Sequence, residues 1–367
     1  MRRPNVKDEH LPYRTDDGAV RIGGGVYGLA AEIRDPHGRV WTALGLMDGT
    51  RTSAELVRDL ADRCPGLTPD EAACLVDALV ATGYVEDAAA EDDRLLSPSE
   101  RDRYRRNQEF FRMADLRPRP GRWDAQLRLK QAGVVVLGLG GTGSHAAWAL
   151  AAAGVGRVHC VDPDTVDRAN LARQVLYTED DLGRPKALTA ARRLRAVNSE
   201  ITVTHEARAV DGPRALAEVT AGYDVLALCA DEPDARSLRE WATQVCAHTG
   251  VPWVGGGYDG PFVSVGVFAP GGPCFPCLAS AEEARLPSGP APRLGGNGVI
   301  GPSAGISGNL VAYEIIALLT GVSRTPPGYL RGINLIAPDD VVLVRHPPRP
   351  GCPHCSAPRP AREGAGR

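Results

Sequence analysis

Residues 134–144 read VVVLGLGGTGS, so Gly138, Gly140, Gly141, Gly143 and Ser144 follow four apolar residues and precede the small-residue run AAWALAAA. Buried strand, glycine turn and helix, in that order, make a phosphate cradle. Glycines let phosphate oxygens approach the backbone, and the helix N-terminus favours their negative charge. A partial glycine match also fits an ordinary tight turn, so the spacing alone leaves both open. Further on, VGRVHCVDPD reads as a second strand ending at Asp162 and Asp164. An acidic residue about 20 positions past the turn can hold ribose hydroxyls, and a plain strand-end turn serves that spacing equally. The second cluster with chemistry in it is Cys274-Phe275-Pro276-Cys277 with Cys352-Pro353-His354-Cys355. Four thiolates in two close pairs suit a tetrahedral structural zinc. Either pair alone could be a redox dithiol, but two pairs bracketing one domain favour the metal. His354 is a fifth potential ligand that reads more simply as part of the knuckle.

The chain that must position these groups has 367 residues, enough for two domains. Its 43% hydrophobic and 24% charged content is that of an ordinary globular protein. A net charge of −3 gives no electrostatic case for nucleic acid or an anionic membrane surface. The first ten residues lack the apolar core of a signal peptide, and no uninterrupted run reaches the roughly 18 apolar residues of a membrane span. Nine cysteines with no export signal point to a reducing cytoplasm rather than a disulfide framework. Cys64, Cys74, Cys160, Cys229 and Cys246 fall in apolar patterns and are expected as buried structural thiols.

Residues 12–87 read as a separate small α+β domain. Val20–Ile22 and residues 26–33 are strand-like runs around Gly23, Gly24 and Gly25, a hairpin signal. Thr52 and Glu55 form a capping-box pattern ahead of Leu56, Val57 and Leu60, and Thr68-Pro69-Asp70-Glu71 repeats the device ahead of Leu75, Val76, Leu79 and Val80. A hairpin with two or three short helices is winged-helix-like. It has no basic stripe for DNA. It is either a packing module or a strand edge plus helix that captures an extended peptide. Residues 88–100 read as a linker ending in a helix cap at Ser97 or Ser99, with an arginine-rich helix from Ser99 to Met113 broken by Arg117-Pro118-Arg119-Pro120-Gly121. A domain over 101–356 and a disordered tail over 357–367 complete the expected organisation.

The run GLMDGTRTSAELVRDLADRCPGLTPDEAACLVDALVATGYVED resembles the PqqD-like precursor-recognition domains of ribosomal peptide pathways, in which a hairpin edge and the third helix hold a leader peptide. From about Arg103 to Cys355, the ordered succession GLGGTGS, VDPDTVDRANLARQ, GRPKA and CADEPDAR resembles the ThiF/HesA family of ubiquitin-activating-enzyme-like adenylyltransferases. A dehydrogenase Rossmann domain carries neither NLARQ nor GRPKA.

That resemblance implies a Rossmann-like α/β domain with a mostly parallel sheet, a structural zinc at Cys274, Cys277, Cys352 and Cys355, and ATP as substrate. Gly138, Gly140, Gly141 and Gly143 would cradle phosphate and Asp162 the ribose. Asn170, Arg173 and Lys186 would contact phosphates, and Asp231 would position magnesium. Spacing alone would make Lys186 a surface lysine. RYRRN is similar to the family's R-Y-x-R-Q segment, which implies a homodimer in which Arg106 enters the partner's site; Asn107 stands where the family has Gln. Family members that form a thioester carry a cysteine after the first zinc pair. Leu278 to Gly351 holds none, only the Gly/Pro/Ser-rich run LPSGPAPRLGGNGVIGPSAGISGN ahead of a helix, so the chemistry is expected to stop at an acyl-adenylate. Related fusions act in microcin-type and pantocin-type maturation. The expected function is therefore ATP-dependent adenylation of a carboxylate on a leader-bearing precursor peptide. The alternatives are a silent leader-delivery subunit and a sulfur-carrier activator.

Overall fold

The computed structural model describes residues 1–25, 28–285 and 298–355. It divides into two compact units, Met1–Arg128 and Leu129–Arg367. The expected Gly/Pro/Ser loop runs from 286 to 309; its residues 286–297 and the tail at 357–367 lie outside the described residues, while from Gly301 the chain is already helical instead of loop.

In the first unit, β1 (Pro4–Val6) pairs antiparallel with β5 (Val85–Asp87), and β2 (Tyr13–Arg14), β3 (Val20–Ile22) and β4 (Ala31–Ile33) form an antiparallel sheet in that order. Among the described residues, β2 and β4 each pair on one side only. The helices are α1 (Arg39–Leu46), α2 (Ser53–Arg63) and α3 (Pro69–Ala81). Both expected capping boxes are present, Thr52 with Glu55 and Thr68 with Glu71. The apolar stripes they launch bury Leu56, Leu60, Val76 and Leu79 against Val20, Ile22 and Leu44. Cys74 departs from expectation: α3 turns it to the exposed side.

Residues 88–100 belong to the first unit, with Leu96 buried beside Tyr104 and Trp123. Ser97 caps α4 (Pro98–Arg103). The single arginine-rich helix expected here is in fact two, because Tyr104 leaves helical geometry (φ −98°, ψ 11°) to bury its ring, and α5 (Arg105–Ala114) starts afresh. Arg112 anchors the end of α5. Its guanidinium contacts Glu86 at 3.0 Å and Glu9 at 2.9 Å, while Lys7 Nζ donates to the carbonyl of Asp115 at 2.9 Å. The first eleven residues, outside the expected domain, are thus part of its frame. α6 (Asp124–Gln131) spans the division between the units.

The second unit is a Rossmann-like sheet ordered β13-β12-β11-β10-β9-β6-β7-β8. Its parallel strands are β6 (Gly133–Leu137), β7 (Arg157–Val161), β8 (Thr202–Glu206), β9 (Val225–Leu228) and β10 (Trp253–Asp259). β11 (Phe262–Phe268), β12 (Tyr329–Asn334) and β13 (Val341–Arg345) add antiparallel. The helices are α7 (Gly141–Ala153), α8 (Lys186–Val197), α9 (Pro213–Thr220), α10 (Ala235–Thr249), α11 (Phe275–Glu283) and α12 (Gly301–Thr320). The strand order reverses at β6, which opens a crevice at the C-terminal strand ends where such sheets bind ligands.

All five β6 residues are buried. Fully burying a valine or leucine side chain contributes about 1.5–3 kcal/mol, so β6 is a firm base for the glycine turn. By length and composition, α12 could cross a membrane, which its interrupting glycines and serines concealed in the sequence. It packs instead on α7 and β10, with Ala304, Val311, Ala312 and Ile315 buried. It is a core helix.

Candidate active site

The glycine turn is the hub of the second unit's crevice. Gly138 adopts φ +86°, and a β-carbon there would lie 2.6 Å from the backbone nitrogen of Ala230, in the segment leaving β9. A β-carbon on Gly143 would lie 1.8 Å from the Gly138 carbonyl oxygen. Neither position admits a side chain. The turn can therefore fold back on itself and present the first N–H groups of α7, which have no intrahelical acceptor.

Asp162, at the end of β7, is 4% exposed. Its Oδ2 accepts from the Leu139 amide at 2.6 Å and its Oδ1 from the Asp164 amide at 2.9 Å. Burial pushes its pKa above the usual aspartate value, against those two bonds and the nearby Lys186 charge. The carboxylate holds the turn in shape and keeps lone pairs for a further donor. Lys186 is no surface lysine. It opens α8, is 6% exposed, and sets Nζ 2.7 Å from Asp164 Oδ2.

The NLARQ segment lines another side. Asn170 Oδ1 accepts from the Asp167 amide at 3.0 Å, and Arg173 Nη1 donates to the Ala169 carbonyl at 2.8 Å. Arg173 Nε and Gln174 Oε1 are both buried without a hydrogen-bond partner. Gln174 Nε2 would lie 3.8 Å from a β-carbon on Gly140, so the Gln174 side chain borders the cradle. Buried orphans of this kind are costly and call for a ligand. With the side-chain-free turn, the Arg173 donor suits a nucleotide phosphate oxygen, whereas Gln174 Oε1 is an acceptor and calls for a donor such as a hydroxyl. Asp231 is exposed in the segment between β9 and α10, next to the residue that meets Gly138. Gln174, Tyr177 (whose Oη donates to the Leu139 carbonyl at 3.1 Å) and the Thr142–Ser307 hydroxyl pair at 3.0 Å were not singled out in the sequence. Gln174 stood within the quoted NLARQ motif and was the one with a signal.

Arg106 lies in the first turn of α5 in the first unit, exposed and paired with Glu109. The four expected thiols do assemble: the sulfurs of Cys274, Cys277, Cys352 and Cys355 lie within 4.8 Å of one another. The Cys274–Cys352 and Cys277–Cys355 separations are both 3.7 Å. Zinc–sulfur bonds of about 2.3 Å in a tetrahedron place sulfurs about 3.8 Å apart, whereas a disulfide needs about 2.05 Å. The set fits zinc. Cys160, by contrast, is buried in β7 and its thiol is pushed up to about 12 by burial, an inert core residue.

Sheet order, crevice and cradle define a Rossmann-like nucleotide-binding domain. The ThiF family model matches residues 113–357, and the chain belongs to the ThiF family, an ATP-dependent adenylyltransferase. It is 36% identical over 242 residues to the sulfur carrier protein adenylyltransferase of Thermus thermophilus, covering 63% of this chain and 85% of the relative. The SAMP-activating enzyme E1 of Haloferax volcanii is likewise 36% identical over 237 residues, covering 63% and 83%. Among solved structures, E. coli MccB with AMPCPP and MccA superposes with a TM-score of 0.70 at 22% identity, covering 97% of this chain and 100% of MccB. PaaA superposes with a TM-score of 0.64 at 24% identity, covering 93% and 99%.

Proposed function

We propose that this protein adenylates a carboxylate on a ribosomally made precursor peptide, with the leader held by the first unit as an added strand and helix contact. The carboxylate attacks the α-phosphorus of ATP, pyrophosphate leaves, and a non-cysteine nucleophile takes the acyl group. Asp162 binds ribose, Asn170, Arg173 and Lys186 contact phosphate, and Asp231 positions magnesium. Two chains pair so that Arg106 serves the partner's site, and the reaction runs in the cytoplasm, where the four zinc thiols stay reduced.

The observation that carries this reading is the first unit: a three-stranded antiparallel sheet with unpaired edges and a PqqD-like sequence, ahead of the family domain. The MccB and PaaA folds extend over nearly the whole chain, while the curated relatives align with 63% of it. Holding the leader nearby raises the effective concentration of the reacting carboxylate.

The curated relatives favour one rival, activation of a sulfur-carrier C-terminus. ATP–pyrophosphate exchange separates the two. It is expected with a leader-bearing precursor and is inhibited by excess separate leader. Exchange only with a Gly-Gly carrier protein would establish the rival, and leader binding without ATP binding or exchange would make the protein a delivery subunit.

A further inference from the structure

The strand ends around the crevice each supply one group already discussed: the glycine turn after β6, Asp162 after β7, Asp231 after β9. β10 supplies another. Its parallel pairing with β9 ends at Gly255 opposite Leu228, so Gly256 to Asp259 run on past their neighbour into the crevice. The run Gly255-Gly256-Gly257 permits this. A β-carbon on Gly256 would come 2.3 Å from Val311 Cγ2 of α12, so only glycine lets that helix lie across the strand. Gly257 has nothing within 4 Å of where its β-carbon would be, and the next residue is Tyr258.

The Tyr258 hydroxyl reaches the first residue of α7: a β-carbon on Gly141 would sit 2.6 Å from Tyr258 Oη and 3.2 Å from Ala304 Cβ. Tyr258 is half-buried, and three buried tyrosines spend their hydroxyls on the fold. Tyr84 donates to the Leu29 carbonyl at 2.6 Å, Tyr177 to the Leu139 carbonyl at 3.1 Å and Tyr329 to Glu314 at 2.7 Å. Tyr258 Oη bonds to none of the described residues. It is an unspent donor at the positive end of the helix that faces the cradle.

We infer that Tyr258 is a further catalytic residue of the adenylation proposed above, on which this assignment rests. Its hydroxyl donates a hydrogen bond to a non-bridging oxygen of the α-phosphate. A substrate carboxylate oxygen bonds to the α-phosphorus, the bond to the β-phosphate oxygen breaks, and pyrophosphate leaves with the electron pair; Tyr258 keeps its proton. A neutral donor fixed in place strengthens as negative charge gathers on the phosphoryl oxygens.

The test is Tyr258→Phe in the full-length protein, read by ATP–pyrophosphate exchange, equilibrium ATP binding and thermal melting. The melting temperature and ATP Kd are expected to stay at wild-type values, because the hydroxyl holds nothing in the chain. The exchange kcat is expected to fall about 10- to 100-fold, with KM for the precursor unchanged. A kcat within twofold of wild type overturns the inference, as does a loss accounted for by a weaker ATP Kd or a lower melting temperature. Wild-type protein without exchange would instead remove the adenylation reading and this assignment with it.

Discussion

Lys186→Met separates catalysis from stability. In the free protein Lys186 Nζ is tied to Asp164 Oδ2 at 2.7 Å, but the two partners are unequal: the lysine side chain is 7% exposed and the aspartate 56%. Removing the ammonium leaves an aspartate that water can solvate, and methionine refills the volume of the buried stem. The fold should lose about 1 kcal/mol or less, the scale of a half-exposed pair. For a domain of this size that lowers the melting temperature by about 2–4 °C. On the proposed role, the same ammonium would neutralise charge that builds up on phosphate. Loss of one preorganised electrostatic group of that kind costs about 10²–10³ in rate. The expected result is a near-native melting curve with ATP–pyrophosphate exchange reduced at least about a hundredfold. Exchange within threefold of wild type, or a fall that merely follows the fraction of folded protein, would refute the reasoning.

Metal analysis should find one zinc per chain, and Cys352→Ser should lower the melting temperature well before it changes the ATP affinity of the protein that stays folded. Asp181 is 1% exposed, and although burial alone would raise its pKa, its Thr178 bonds and the Arg192 and Arg193 charges hold it below the usual aspartate value. Its stabilising effect is therefore complete above the unfolded value of about 3.9 and lost as pH falls through the lower folded value. Wild type should thus melt higher than Asp181→Asn at pH 7, with the gap closing below about pH 4 in a melting series. Mixing Arg106→Ala chains with Asp231→Ala chains should restore part of the exchange activity through dimers with one intact site. A fully active monomer in ultracentrifugation would contradict that.

Local signals were legible where neighbours in sequence decide the structure. The glycine turn and both threonine capping boxes need only a few consecutive residues and form where the sequence places them, and of the two serines offered as a cap the structure uses Ser97. The cysteine pairs were legible because metal ligands recur at a spacing set by thiolate geometry. Long-range choices were not. β1 exists only because Pro4 finds Asp87 as its partner, and nothing near Pro4 announces that register. Tyr104 interrupts a helix that propensity would continue, because its ring is worth more in the cluster with Leu96 and Trp123. Cys74 occupies an apolar-looking run, yet the helix phase turns it outward. Tyr258 depends on how far β10 overruns β9 and on α12 lying across it, neither of which is written in GGGY itself.

A zinc held by Cys274, Cys277, Cys352 and Cys355 would make the intervening chain a closed ring. α12, whose Ser307 meets Thr142 beside the glycine turn, is carried on that ring. In a loop-closure model, fixing a ring of this size takes about 4–5 kcal/mol of freedom from the unfolded chain. Doubling the length of a flexible segment within it costs only about 0.6 kcal/mol more. The ring's anchor is thus demanding while its circumference is nearly free.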